Sequence, residues 1–282
     1  MKRGHAIGCI TLGFAVVVLL LSGCGDGRSN ATHESSEIRR ISFPVPDVPT
    51  VEISASNGIV TVRGQEDLTE VQVTMTLRNL GASLEQAESR VDEMIVHTDR
   101  VQDRIVLGYA GTEQPESIRE HGSVEFEVIM PPRADISIEV GNGSITASDI
   151  VGRFDARTNN GEIDAARMSG MLRLDASNGR IRMTETDGTV DAKTGNGDIA
   201  FSGRLGDAEH RIETGRGDLE IELPIDLSIT IDAVASAGIE TDDLRLEGDT
   251  DGEDWVATLN APAAATLILV ARSGRIELRG VQ

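Results

Sequence analysis

The chain has 282 residues, with 26 Lys+Arg against 47 Asp+Glu and a formal net charge of −21. A field of that sign repels nucleic acid and anionic lipid, and no basic stripe interrupts it, so nucleic acid is not expected as a partner. Aromatic residues make up 2% and there are two cysteines, which leaves few platforms for sugar rings and little scope for disulfides or thiolate metal sites.

Residues Met1 to Gly23 combine a basic start (Lys2, Arg3), an apolar run from about Ala6 to Leu21, and the sequence Leu21-Ser22-Gly23-Cys24. The layout is that of a cleaved secretory signal, short for a membrane span. The four residues Leu-Ser-Gly-Cys resemble the bacterial lipoprotein box, which implies that Cys24 is acylated and becomes the mature N-terminus. Cys9 then leaves with the signal and Cys24 carries lipid, so no cysteine remains for a disulfide. Residues 24–40 are small, polar and without periodicity, and read as the lipidated cysteine and a flexible tether. The membrane is thus expected as a partner only through the N-terminal lipid.

From Ile41 strand signals begin: Val51 to Asn57-Gly58, Ile59 to Arg63, and Val71 to Leu77. Ser83 to about Val96 has Leu84, Ala87, Val91 and Met94 on one face and a Ser83-x-x-Gln86 capping box, predicting one helix whose stripe packs on these strands. Strands around Ile105–Leu107 and Val124–Met130 follow, closed by Pro131-Pro132. Residues 41–132 therefore read as a β-rich cap with one helix.

Residues 133–282 carry the repeats. Glycine recurs every nine residues from Gly143 to Gly206, and every second one follows asparagine: Asn142-Gly143, Asn160-Gly161, Asn178-Gly179 and Asn196-Gly197. The period is 18, the mark of a repeat architecture. Apolar residues sit at the second and fourth places after each glycine, as in Ile163 and Ala165 or Leu172 and Leu174, so each unit holds two half-buried strands and two turns. A hairpin meander and a β-solenoid both fit. The outward charges favour the solenoid: Asp155, Arg173, Asp191, then Arg157, Asp175, Lys193, then Glu162, Arg180, Asp198 alternate in sign every 18 residues, which helps only if those residues are adjacent rungs. Two strands of one coil can also cover each other, whereas a meander would leave an apolar face bare. After Gly206 the units become irregular. Asp242 to Asp254 reads as an acidic surface loop, and the strands Leu267–Val270 and Ile276–Leu278 are expected to close the far end.

The order Ile41-Ser-Phe-Pro44, Val51 to Gly58, Val124 to Pro132, and repeated strand-Asn-Gly-strand units ending in Ser273-Gly-Arg-Ile-Glu-Leu278 resembles the DUF4097 family. These are bacterial β-strand-repeat proteins often called "putative adhesins" and grouped with "toast rack" folds. The resemblance covers about Ile41 to Val281. It implies an all-β, solenoid-like body, no catalytic residues, and a role in adhesion or in envelope stress.

Chemical motifs are sparse. Gly195-Asn-Gly-Asp198 and Gly215-Arg-Gly-Asp218 imitate calcium nonapeptide turns, but Arg180 stands inside that ladder. Asp249-Thr-Asp251-Gly-Glu253-Asp254 is a partial calcium loop, and Arg216-Gly217-Asp218 spells an integrin tripeptide at an ordinary turn. His97, His121 and His210 share no motif. The expectation is a non-catalytic cell-envelope lipoprotein with Cys24 as its lipidation site and no catalytic, cofactor or metal residues. Its partner would be an unnamed envelope or surface component, with the outer membrane favoured in a diderm source because Gly25, not Asp, follows Cys24. A carboxylate-dependent glycan-active enzyme and a calcium-stabilised repeat protein are the alternatives.

Overall fold

The computed structural model describes residues 15–16, 33–45 and 48–282. The expected signal segment, apart from Ala15 and Val16, and the lipidation candidate Cys24 lie outside the described residues.

The repeats form a parallel β-solenoid with two walls. A long-strand wall stacks Thr50–Asn57, Asp135–Asn142, Val151–Asn160, Ser169–Asn178, the second half of Ile181–Asn196, and Glu209–Arg216. A short-strand wall stacks Val60–Gly64, Ile145–Ser148, Ile163–Ala166, the first part of Ile181–Asn196, Ile199–Leu205 and Leu219–Pro224. Residues 18 apart are register partners, Asp155 with Arg173 and Arg173 with Asp191 among them. The walls alternate side chains in and out, so two apolar faces meet along the axis of the coil. Ile145, Ile163, Ile181 and Ile199 form one fully buried column. Elsewhere volume is traded between the walls: along successive coils Phe154 is matched with Ala165, Leu172 with Met183, and Val190 with Phe201, all buried.

The N-terminal cap extends both walls outward. Arg104–Tyr109 pairs in parallel with Thr50–Asn57, and Ser123–Met130 with Val60–Gly64. Antiparallel strands Glu70–Gly81 and His33–Pro44 then continue the short-strand wall. The helix runs Leu84–Asp92; Ser83 Oγ accepts from the Gln86 backbone N–H at 3.2 Å, and Gln86 Oε1 accepts from the Ala82 N–H at 2.7 Å. Ala87, Val91 and Met94 are buried on its inner side. A second short helix, Glu116–Arg119, buries Ile118.

Two expectations change. The tether was expected to reach Arg40, but His33–Pro44 is a strand paired along its whole length with Glu70–Gly81; its alternation is masked by the inward-facing polar residues Ser35 and Glu37, both buried. The last strands do not close the far end. Ala265–Ala271 and Ile276–Val281 insert between the coil at 209–224 and the coil at 229–242. Leu267, Leu269, Ile276 and Leu278 are fully buried and suit an interior coil, whereas Ile239–Asp242 has three exposed residues and suits an edge. The end itself is made by Ile239–Asp242 on one wall and by the antiparallel strands Asp254–Leu259 and Leu246–Gly248 on the other.

The Asn-Gly corner stacks backbone directly on backbone. A Cβ built on Gly179, whose φ is 152°, would lie 1.7 Å from the Gly161 carbonyl oxygen. Alanine there adds a steric clash to a left-handed strain, so Gly179→Ala should cost about 3 kcal/mol or more in urea unfolding. Asn178→Ala, which removes exposed side-chain hydrogen bonds only, should cost about 1 kcal/mol. Equal losses for the two variants would refute the stacking account.

Candidate interaction surfaces

At the Asn-Gly corner the asparagine side chains form a continuous ladder. Asn196 Nδ2 donates to Asn178 Oδ1 at 2.8 Å, Asn178 to Asn160 at 3.1 Å, Asn160 to Asn142 at 2.9 Å, and Asn142 to Asn57 at 2.9 Å. Every amide points the same way, so the dipoles align and strengthen each other. Arg216 occupies the next register position and donates to Asn196 Oδ1 at 3.4 Å, placing a cation at the acceptor end of the array. Behind the ladder, Thr158, Thr194 and Thr214 donate to the carbonyls of Gly143, Gly179 and Gly197 at 3.0, 2.8 and 2.8 Å. The Arg216-Gly217-Asp218 tripeptide is thereby committed to structure: Asp218 Oδ1 also accepts from the Arg275 backbone N–H at 2.9 Å.

The opposite corner uses left-handed residues that are not glycine. Asp149, Arg167 and Glu185 have φ of 63°, 52° and 52° at 18-residue spacing. Arg167 grips Asp149 through Nε at 2.6 Å and a second guanidinium nitrogen at 2.9 Å. That bidentate contact, opposed by burial, holds the Asp149 carboxyl down to about 2. Glu185 adds its charge on the other side of Arg167.

The outer face of the long-strand wall is a charge checkerboard. Asp155, Arg173, Asp191 and Arg211 form one rung row, and Arg157, Asp175, Lys193 and Glu213 the next, with opposite signs both across and along the strands. Arg157 meets Asp155 at 3.1 Å and Arg173 meets Asp191 at 3.7 Å. Exposed pairs of this kind stabilise weakly. Their effect is on register and on the field, which nearly cancels: residues 133–217 hold eleven Lys+Arg against fourteen Asp+Glu, whereas residues 218–282 hold four against fourteen.

The titratable groups do not converge. His97 contacts Glu113 at 2.6 Å, His121 lies 3.9 Å from Glu120, and His210 is fully buried. In the acidic loop Asp249 Oδ1 accepts from the Asp251 backbone N–H at 3.2 Å, and among the described residues no three His, Cys, Asp or Glu side chains could hold a metal ion together. Trp255 faces inward and is buried, so it offers no stacking platform.

His210 is a structural residue that spacing alone did not reveal. It lies where the coil lengthens from 18 to 20 residues, Val190 being followed on the next rung by His210. Its Nδ1 accepts from the Val190 backbone N–H at 3.2 Å, and its Nε2–H donates to the Gly206 carbonyl at 2.8 Å. Only the neutral ring with the proton on Nε2 can make both bonds. Burial lowers the pKa, and the Gly206 bond opposes this in part.

The profile of the family described as Toastrack DUF4097 matches residues 116–279. The chain belongs to the Toastrack DUF4097 family. No curated protein matches it. Among solved structures, this Toastrack chain is similar to a "putative adhesin" from Parabacteroides distasonis, at 9% identity and TM-score 0.40, covering 85% of this chain and 96% of that one. A "putative adhesin" from Bacteroides fragilis matches at 7% identity and TM-score 0.39, over 86% and 96%. A "putative lipid binding protein" from Parabacteroides distasonis matches at 9% and TM-score 0.33, over 85% and 96%.

Two acid-sensitive points follow from the corners. A histidine whose folded pKa is depressed stabilises fully above its unfolded value, near 6.5, and that contribution is lost as pH falls through the lower folded value. His210→Ala should therefore unfold more readily at pH 7.5, by about 2–3 kcal/mol for the orphaned Val190 N–H and a cavity, with the difference from wild type shrinking as pH drops below 6.5. The Asp149 contribution has the same sign in a lower window, present above about 4 and lost towards about 2. Urea titrations at stepped pH read both, and a wild-type to His210→Ala difference constant with pH would overturn the histidine assignment.

Proposed function

We propose that the protein is a non-catalytic cell-envelope lipoprotein whose Toastrack body works by surface contact, as an adhesin-like module or as a scaffold in envelope stress. The observation that carries this reading is the surface itself. Asparagine amides at the Asn-Gly corner and opposite charges along the long-strand wall are engaged with one another from coil to coil, which gives the body a continuous, regular face. A body of this kind offers extended faces in place of a reaction centre. The basic start, the apolar run and Leu21-Ser-Gly-Cys24 support export followed by acylation. The absence of Asp at position 25 favours the outer membrane in a cell with two membranes.

Two measurements test the reading. Radiolabelled palmitate should enter the wild-type chain and not Cys24→Ala, which should accumulate as the uncleaved precursor; incorporation into the variant would refute the lipid assignment. Protease added to intact cells should release the body by cutting between Gly25 and Thr32. Release places the solenoid outside and supports adhesion, whereas protection until permeabilisation places it in the periplasm and supports the scaffold form. Cytoplasmic recovery with the N-terminal segment intact would reject the proposal.

A further inference from the structure

The far end of the solenoid differs from its middle at one corner. In regular coils two residues link the short-strand wall back to the long-strand wall, as at 149–150 and 167–168. Beyond Leu219–Pro224 these links lengthen to four residues at 225–228 and three at 243–245 after Ile239–Asp242, and a five-residue connection at 260–264 joins Asp254–Leu259 to Ala265–Ala271 within the long-strand wall. The longer links do not close on each other. An open cavity of about 680 Å³ lies between them, within the range of small-molecule sites.

Its lining is polar on one side and aliphatic on the other. Asp243, Arg245, Asn260 and Gln282 supply polar groups, and Ile225 and Leu244 supply apolar surface. Asn260 is fixed in place, its Nδ2 donating to the carbonyls of Ile225 and Leu227 at 2.8 and 2.9 Å, which leaves Oδ1 without a hydrogen bond among the described residues. Asp243 and Arg245 make no ion pair among the described residues, which leaves both charges available to a ligand. Asp243 keeps the left-handed backbone of the regular corners at Asp149, Arg167 and Glu185, with φ 56°, and Asn260 has φ 53°.

The chemistry narrows the ligand by elimination. The surrounding 65 residues carry fourteen carboxylates against four cations, which disfavours an anion. No three acidic or imidazole groups converge here, which disfavours a metal ion. A purely apolar molecule would strand the polar rim without partners. What remains is a neutral molecule that both donates and accepts hydrogen bonds and has an aliphatic face. Vicinal hydroxyls can donate to a carboxylate or amide oxygen and accept from a guanidinium.

We propose that this cavity binds a neutral saccharide, with Asp243 and Asn260 accepting from its hydroxyls, Arg245 donating to them, and Ile225 and Leu244 against its C–H face. The site lies roughly 34 Å along the stack from the coil at 50–64, counting seven rungs of about 4.8 Å. That it faces outward from the membrane rests on the lipid-anchored reading above; the chemistry of the pocket does not.

The test is a solution titration of the full chain, ¹⁵N-labelled and followed by amide NMR, with maltose and N,N′-diacetylchitobiose as probes. At least one probe should give saturable shifts confined to 225–228, 243–245, 259–260 and 280–282, with a Kd on the order of 1 mM, as suits a few hydrogen bonds and a small apolar contact. Arg245→Ala should weaken that binding at least fivefold. Asp243→Asn, which tolerates the left-handed backbone, should keep the fold and weaken binding severalfold. No saturable shift with either disaccharide, saturable shifts elsewhere on the solenoid, or unchanged affinity in both variants would overturn the proposal. Because the titration needs no membrane, its failure is distinct from a failure of palmitate labelling at Cys24.

Discussion

The whole body depends on one close approach, the glycine of each Asn-Gly corner lying against the glycine carbonyl of the coil before it. At Gly143, Gly161, Gly179, Gly197 and Gly217 an added Cβ would sit 1.6 to 2.2 Å from that oxygen. The corner fixes the rung spacing, and the spacing brings asparagine amides within hydrogen-bonding distance and sets opposite charges side by side on the walls. Each coil is thus positioned by its neighbour's backbone more than by its own side chains, as nearest-neighbour stacking in a solenoid demands. The ladder ends where the geometry ends: Arg216 replaces asparagine just where the coil length changes from 18 to 20 residues.

The repeat region was legible because its constraints are local and periodic. Glycine at nine-residue spacing, asparagine at eighteen and the sign reversals at Asp155, Arg173 and Asp191 each report a contact between residues one coil apart, and the parallel register places them together. The left-handed corner was harder to see, since Asp149, Arg167 and Glu185 differ in type and are united only by backbone angle and position. Polar residues at inward positions hid the strand His33–Pro44 in the same way, because alternation in the sequence assumes that inward means apolar.

Pairing order at the far end was not legible at all. The segments Ile229-Thr-Ile-Asp-Ala233 and Ala265-Thr-Leu-Ile-Leu269 carry nearly the same inward pattern, and nothing in either states which neighbour it takes. That choice is made by the rest of the coil: by the exposed, charged strand Ile239–Asp242, which can stand at an edge, and by the buried Ile276 and Leu278, which cannot. The cavity at 243–245 and 259–260 arises from the same rearrangement, so sequence periodicity held no hint of it.

The inserted coil also fixes an order of events. A chain that emerges N-terminus first presents residues 229–259 before residues 265–281, so Ile229–Ala235 can pair with Asp254–Leu259 early, yet its link to the rest of the solenoid waits for the later coil, which slips between it and Glu209–Arg216. The tip therefore cannot mature by simple winding, one coil onto the last. It must either wait or bind the exposed face of 209–224 first and be displaced from it, so a premature stop near residue 264 would leave a chain with a misplaced end instead of a shorter solenoid. Completion of the far end therefore waits on residues 265–281.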